Sequence, residues 1–151
     1  MPMENNVYTL RAADIPAAAA LSAACFGRAA WKESDFGEAL AAGHAVIFCS
    51  GEEGAPTGYA VFYHAADEGE LDSIAVNAKI RRTGAGSALL SAGVGALRAA
   101  GVKKLFLEVR EGNAPAVAFY EKHGFLAAGV RKRFYDDPVE DAIIMVKILE
   151  G

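Results

Sequence analysis

The fold of this chain is decided by one stretch of its sequence, Ile74-Ala75-Val76-Asn77-Ala78-Lys79-Ile80-Arg81-Arg82-Thr83-Gly84-Ala85-Gly86-Ser87-Ala88-Leu89-Leu90. The apolar run that ends at Val76 predicts a strand that begins near Glu70. Downstream, Leu90, Val94 and Leu97 follow at the i, i+4 and i+7 spacing of a helix. The stretch therefore predicts a strand, a basic turn with two glycines, and a helix that the turn opens.

The turn has the composition of a phosphate-binding site. Arg81 and Arg82 bring two positive charges, and the first backbone N–H groups of the helix lack partners at its positive end. Gly84 and Gly86 allow the main chain to approach an anion closely. These features favour a bound phosphate; an exposed turn whose arginines are only solvated is the alternative.

Two common nucleotide motifs are excluded by the residues around those glycines. A Walker loop requires GxxxxGK[ST], and no lysine follows Gly84 or Gly86 at the required place. The dinucleotide motif GxGxxG has Leu89 at its third glycine, and Lys103 and Lys104 stand where its acidic residue is expected. What remains is a pyrophosphate loop of the form Arg-x-x-Gly-x-Gly.

The other elements follow from apolar spacing, caps and turns. The N-terminal part predicts a strand at 7–11, a helix at 17–26 capped by Asp14, a short helix capped by Ser34, and a hairpin of strands at 44–50 and 57–65. The remainder predicts a strand at 70–76, a helix at 85–100, a strand at 103–110, a helix capped by Asn113 and ended by Gly124, and strands at 126–135 and 139–149. The strand–helix–strand unit at 70–110 should be right-handed and parallel, with a ligand beyond the carboxyl ends of its strands.

Composition limits the classes of protein to which the chain can belong. A chain of 151 residues with 53% hydrophobic residues can bury a core without disulfides, so we expect one domain spanning 1–151. No apolar stretch is long enough to span a membrane, and we expect a cytoplasmic protein. The net charge of −4 argues against direct nucleic-acid binding. Cys25, Cys49 and the three histidines show no metal-ligand spacing, which predicts no metal site.

Two side chains are candidates for acid–base chemistry. Glu108 interrupts an apolar strand, and a carboxylate partly withdrawn from water there is suited to act as a general base. The alternative is an exposed strand-end acid paired with Arg110 or Lys104. Tyr120 lies on the apolar face of the next helix, where it is either a core tyrosine or a proton donor to a departing thiolate.

The chain resembles the GNAT N-acetyltransferases from about Leu71 to Ile148. Arg81-x-x-Gly84-x-Gly86 is similar to their acyl-CoA pyrophosphate loop, and Asn113-x-x-Ala116-x-x-Phe119-Tyr120-x-x-x-Gly124-Phe125 is similar to their second acyl-CoA segment. Within the superfamily, three stretches resemble the RimI-type enzymes that acetylate the N-termini of bacterial ribosomal proteins: Leu107-Glu108-Val109-Arg110, Arg131-Lys132-Arg133-Phe134-Tyr135 and Glu140-Asp141-Ala142-Ile143-Ile144-Met145.

This resemblance implies a mixed α/β fold with a mostly antiparallel sheet, a parallel unit at the acyl-CoA site and flanking helices. It implies Glu108 as catalytic base and Tyr120 as catalytic acid. The implied acetyl-CoA contacts are Ile74, Ala75, Val76, Arg81, Arg82, Thr83, Gly84, Ala85, Gly86, Ser87, Asn113 and Tyr120.

The expected reaction is direct acetyl transfer from acetyl-CoA to a primary amine. The implied acceptor is the N-terminal α-amine of a protein, such as a basic ribosomal protein. Two acidic clusters, the central cluster (Asp67, Glu68, Glu70 and Asp72) and the hairpin cluster (Asp136, Asp137, Glu140 and Asp141), are either solvated turns or a negative approach surface for that acceptor. A small-molecule amine as acceptor and a non-catalytic acyl-CoA-binding module are the alternatives. A nucleotide-binding regulatory domain would require one of the motifs excluded above.

Overall fold

The computed structural model describes residues 6–149. In chain order, the elements are β1 (Val7–Thr9), α1 (Ile15–Phe26), α2 (Glu33–Ala41), β2 (Ala45–Glu52), β3 (Ala55–Ala65), β4 (Glu68–Val76), α3 (Ala85–Ala99), β5 (Lys104–Arg110), α4 (Ala114–Lys122), β6 (Leu126–Tyr135) and β7 (Glu140–Ile148). These bounds confirm the predicted elements to within a few residues at each end.

All seven strands join one sheet in the order β1-β2-β3-β4-β5-β7-β6. The predicted hairpin of β2 and β3 is confirmed, and β6 and β7 form a second antiparallel pair. Only β4 and β5 run parallel, connected by α3, as the strand–helix–strand pattern predicted. The mixed, mostly antiparallel fold class is therefore confirmed.

Helices cover the two faces of the sheet differently. On one face, α3 buries Leu89, Leu90 and Leu97 against strand residues such as Phe62 and Leu105; we call it the donor face, after the acetyl donor expected at the start of α3. On the other, which we call the acceptor face by contrast, α1 and α2 pack against the alternate residues of β2 to β4 in a separate cluster that includes Tyr59 and Val61. The alternation of side chains along each strand produces these two cores.

The parallel pairing of β4 and β5 is short, so the two strands leave an opening between them. β4 and β5 pair only at three positions, from Glu68 with Lys104 to Glu70 with Phe106. Beyond them, β4 continues along β3 to Val76, and β5 continues along β7 to Arg110. The two strands therefore separate toward their carboxyl ends, where the strand–helix–strand pattern predicted a ligand.

Two predicted helix caps differ in the structure. Asp14 occupies the N-cap position of α1 as predicted and is fully buried, but its carboxylate accepts hydrogen bonds from the backbone N–H groups of Arg11 (3.0 Å) and Gly54 (2.8 Å) and makes no cap bond to α1. Ser34 lies inside the first turn of α2, and the carboxylate of Asp35 accepts from the N–H of Lys32 at 2.8 Å. In both places, an acidic side chain accepts a hydrogen bond from an N–H group that precedes the helix and not from one in the first turn. The residue preferences of helix caps do not distinguish these two outcomes.

The two glycines inside α3 have different environments. A Cβ on Gly93 would overlap the ring of Phe62, so this glycine permits the close contact between α3 and β3. A Cβ on Gly95 would meet nothing within 4 Å. Close packing therefore offsets the helix-propensity cost of about 1 kcal/mol at Gly93 but not at Gly95.

Within residues 6–149, no helix has the length and apolar character needed to cross a membrane. The same residues contain no group of three or more histidine, cysteine or acidic side chains arranged to hold a metal ion.

Candidate active site

A cavity of about 1110 Å³ fills the opening between β4 and β5. It is lined by these residues expected from the sequence: Ile74, Ala75, Val76, Arg81, Arg82, Thr83, Gly84, Gly86, Ser87, Glu108, Asn113 and Tyr120. Ala85 differs from the others, because it is only 1% exposed and packs into the core at the start of α3. Its side chain does not line the cavity, so only its backbone N–H remains a candidate contact.

The start of α3 forms one end of the cavity. Gly84 precedes the helix with a φ of 93°, a left-handed conformation that favours glycine. The first intrahelical bond runs from the N–H of Ala88 to the carbonyl of Gly84 (2.9 Å), which leaves the N–H groups of residues 85–87 without helical partners. A Cβ on Gly86 would meet the ring of Phe119 at 3.4 Å, which is ordinary van der Waals contact, so this glycine lies directly beside Phe119.

The two arginines of the loop are placed differently. The guanidinium of Arg81 turns back to the protein, donating to the carbonyl of Val76 (3.3 Å) and contacting the sulfur of Cys25 (3.5 Å). Arg82 has a φ of 68° and makes no such contact within the described residues. The hydroxyl of Thr83 donates to the carbonyl of Ile80 at 2.6 Å and closes the turn. Arg82 is therefore the better placed of the two to meet an anion.

Along the edge of β4 that faces away from β3, two of the three candidate residues present their backbone N–H and C=O groups. The N–H of Asn77 donates to Thr57 of β3, so alternation directs the N–H and C=O groups of Ala75 toward β3 as well. Ile74 and Val76 then direct their N–H and C=O groups away from β3, into the opening. Ala75, predicted as an equivalent contact, can reach a ligand only through its side chain.

The α4 helix supplies Asn113 and Tyr120. The side-chain oxygen of Asn113 accepts from the N–H of Ala116 at 3.2 Å, which confirms the predicted cap and leaves the side-chain NH₂ group to contact a ligand. Tyr120 is 9% exposed, and burial raises the pKa of its phenol to about 12. It therefore belongs to the core and lines the cavity at once, with its proton retained at neutral pH.

Glu108 lies on the opposite face of β5 from the core residues Leu107 and Val109. Its side chain is 19% exposed, and one carboxylate oxygen accepts from Nε of Arg131 at 3.0 Å. The sequence left an ion pair with Arg110 or Lys104 open as the alternative. Among residues 6–149 neither pair forms: Glu108 binds Arg131, and Arg110 binds Glu140 and the hairpin backbone instead.

The two acidic clusters differ in their partners. In the hairpin cluster, Asp137, Glu140 and Asp141 pair with basic side chains. In the central cluster, a hydrogen bond to Asp72, followed by burial and the charge of Asp72, raises the pKa of Glu70 to about 7. No ion pair among residues 6–149 involves this second cluster.

The cavity also contains residues that the sequence did not indicate. Phe26 and Trp31 reach it from the end of α1 and the connection to α2, and Tyr135 reaches it from the end of β6. No local pattern marks these three. Phe119 and Lys122 line it from α4, and the helical face that carries Asn113 and Tyr120 could have indicated Phe119.

Residues 15–125 match the model of the "Acetyltransferase (GNAT) family". The chain belongs to the GNAT acetyltransferase family. The resemblance predicted from the loop and from the α4 segment is thereby confirmed. A GNAT enzyme takes its acetyl group from acetyl-CoA, and the loop at the start of α3 has the open N–H groups and the arginine that suit its pyrophosphate.

Among GNAT proteins, the chain is 35% identical to the [ribosomal protein bS18]-alanine N-acetyltransferase of Escherichia coli K12, over 93% of this chain and 95% of that protein. The crystal structure of the E. coli ribosomal-protein-S18-alanine N-acetyltransferase superposes with a TM-score of 0.85 at 33% identity, covering 97% of this chain and 94% of that one. Ard1 from Thermoplasma volcanium shares the fold with a TM-score of 0.85 at 22% identity, covering 97% and 98%.

Proposed function

We propose that this GNAT enzyme acetylates the N-terminal α-amine of a protein, with a ribosomal protein that begins with alanine as the acceptor. The observation that supports this most directly is that Glu108 and Tyr120 border one cavity from opposite faces of the sheet. An acid–base pair separated in this way can serve two substrates that enter from two sides. The substrate named for the E. coli relative supports the choice of acceptor.

The donor-face residues would hold acetyl-CoA. The N–H groups at the start of α3 and the guanidinium of Arg82 would bind the pyrophosphate, while Thr83 and Arg81 keep the loop in shape. The side-chain NH₂ of Asn113 would contact the pantetheine arm. The thioester would then lie beside the edge of β4, where Ile74 and Val76 present their backbone groups.

The reaction would proceed without a covalent enzyme intermediate. Glu108, directly or through water, takes a proton from the acceptor ammonium, whose reference pKa is about 7.7–8.0. The neutral amine attacks the thioester carbon, and a backbone N–H on the edge of β4 stabilises the oxyanion. When the C–S bond breaks, the thiolate accepts a proton from Tyr120, and the new amide loses its remaining proton to water.

The side of the sheet that carries Glu108 supports a peptide acceptor. Phe26, Trp31 and Tyr135 surround this mouth of the cavity, and Asp72 adds a negative charge. Aromatic walls and carboxylates fit a peptide that carries basic residues after its first amine. The KM for a basic peptide should therefore rise with ionic strength.

The decisive experiment measures CoA release with acetyl-CoA and three classes of acceptor. These are a peptide with the first residues of a bS18 protein, the same peptide with a blocked N-terminus and an added lysine, and the small amines spermidine and kanamycin. We expect turnover only with the free N-terminus. Turnover with the small amines alone would move the acceptor assignment to a small molecule, and acetyl-CoA binding without turnover would indicate a binding module.

A further inference from the structure

Glu108 depends on one side chain for its orientation. Among the hydrogen bonds of residues 6–149, its carboxylate makes only the contact between Oε2 and Nε of Arg131. Glu108 is mostly buried, whereas the side chain of Arg131 is 55% exposed. The contact therefore fixes one oxygen of the carboxylate and leaves Oε1 without a protein partner within the described residues, in a side chain that lines the cavity.

The register of the sheet brings these two residues together from strands that are not adjacent. Glu108 pairs with Ile144 of β7, and Ile144 pairs with Gly129 of β6. Arg131 lies two residues beyond Gly129 and pairs with Ala142. Paired residues point to the same face, so Arg131 reaches Glu108 diagonally across β7, and the small side chains of Gly129 and Ala142 leave room for it.

The other arginine on this face is already engaged. Arg110 also pairs with Ala142, but its guanidinium binds Glu140 (3.2 Å) and the carbonyls of Asp136 and Pro138, and lies 4.4 Å from the ring centre of Tyr135. It cannot bind Glu108 without breaking these contacts. Arg131 is consequently the cation that faces the proposed base.

The local shape of β6 directs Arg131 toward Glu108. Between Arg131 and Tyr135 the pairing with β7 is irregular, because four steps along β6 oppose two steps along β7. Phe134, in this bulged segment, lies 5.8 Å from the guanidinium of Arg131 and packs edge-on against Tyr135. Bulges of this kind re-aim side chains beside functional sites.

We propose that Arg131 is a positioning residue for Glu108, and this proposal rests on the base function proposed above. Arg131 holds Oε2, so that Oε1 faces the acceptor ammonium and can take its proton. A glutamate without this partner distributes itself over several rotamers, and a misplacement of about 1 Å can reduce turnover about 100-fold.

The test compares Arg131→Gln with Arg131→Lys and a matched control, Lys132→Gln. Lys132 is the next residue of β6 and pairs with Asp141, so its replacement removes the same charge without touching Glu108. With acetyl-CoA and an alanine-initiated peptide, we expect Arg131→Gln to lower kcat about 10- to 100-fold. The KM for acetyl-CoA should stay within about twofold, Arg131→Lys should recover part of kcat, and Lys132→Gln should match the wild type.

A double variant separates action through Glu108 from a general effect on the fold. If Arg131 acts through Glu108, adding Arg131→Gln to Glu108→Gln should lower kcat no further. Unchanged or increased kcat in Arg131→Gln, while Glu108→Gln is inactive, would overturn the proposal and leave the base assignment standing. Full activity of Glu108→Gln would instead remove the base assignment, and the positioning role with it.

Discussion

The donor face and the acceptor face of the sheet border the same cavity but are built in different ways. On the donor face, the loop at 81–87 and the first turn of α3 are consecutive in sequence, and α3 packs tightly on β3 through Gly93. On the acceptor face, Trp31, Asp72, Glu108 and Tyr135 come from four separate parts of the chain.

The chemical groups that the two faces present to the cavity are therefore positioned in different ways. The donor face offers backbone N–H groups, whose positions follow from the local helix and turn geometry. The acceptor face presents charged side chains instead, and their chemical properties depend on which other charged groups lie next to them in the folded chain. We therefore expect substitutions in the loop and in α3 on the donor face to change acetyl-CoA affinity or stability. Substitutions of Tyr120, the proposed acid on this face, and of the charged residues on the acceptor face should instead change turnover and pH dependence.

The largest effects should come from Glu108 and Tyr120, the two residues proposed to act on the reacting atoms. We expect Glu108→Gln and Tyr120→Phe each to lower kcat about 100- to 10,000-fold, because each removes a proton-transfer group. The Kd for acetyl-CoA, measured by calorimetry, should change less than about twofold. A variant that loses acetyl-CoA binding together with turnover would contradict the division between the faces.

Arg82→Ala should produce the opposite pattern. Loss of a charged contact to phosphate should weaken acetyl-CoA binding about 10- to 100-fold, while kcat at saturation stays close to that of the wild type. The loss should shrink as salt is added, because salt screens the contact. Lys79→Ala is the matched control, since Lys79 belongs to the same exposed segment but does not line the cavity. An equal effect of both variants would indicate a general charge effect.

Two glycine substitutions in α3 test how closely this helix packs on the donor face of the sheet. Gly93→Ala should destabilise the protein by about 1–3 kcal/mol, because the added Cβ would overlap the ring of Phe62. Gly95→Ala meets open space and should stabilise it by up to about 1 kcal/mol through helix propensity. Thermal unfolding should show Tm shifts of opposite sign. Equal shifts would mean that α3 does not pack on β3 as described.

The smallest effect concerns the unpaired acids of the acceptor face. Because the folded protein raises the pKa of Glu70 to about 7, it binds this proton more tightly than the unfolded chain does. That contribution to stability is complete below pH 4.5 and is lost progressively as pH rises from there through about 7. Glu70→Gln should therefore raise Tm more at pH 8.5 than at pH 5.5. Glu70 is exposed, so the gain should not exceed about 1 kcal/mol.

Glu140→Gln provides the comparison from the hairpin cluster. Glu140 pairs with Arg110 and accepts the N–H of Gly112 at 2.6 Å, so its neutralisation should lower Tm at both pH values. A rise in Tm for both variants at pH 8.5 would indicate net charge rather than pairing as the cause.

Most of the fold could be predicted because its signals are local. Apolar spacing gave the strands and helices, and the glycines at 84, 101 and 124 mark positions where the backbone adopts a positive φ. The cap bonds expected from Asp14 and Ser34 do not form, because Asp14 and Asp35 accept from N–H groups that precede the helices. Asp14 also accepts from Gly54, a contact that only the folded chain shows, since the two residues are 40 positions apart.

By itself, the sequence determined the strand–loop–helix unit, the family and the residues that a donor site would require, because these depend on consecutive residues and their backbone geometry. The tertiary structure decided which charges meet. It paired Glu108 with Arg131 across an intervening strand, left Glu70 beside Asp72, and gathered Phe26, Trp31 and Tyr135 around one mouth. Strand order and register set these contacts, and no pattern within a single segment of the chain specifies them.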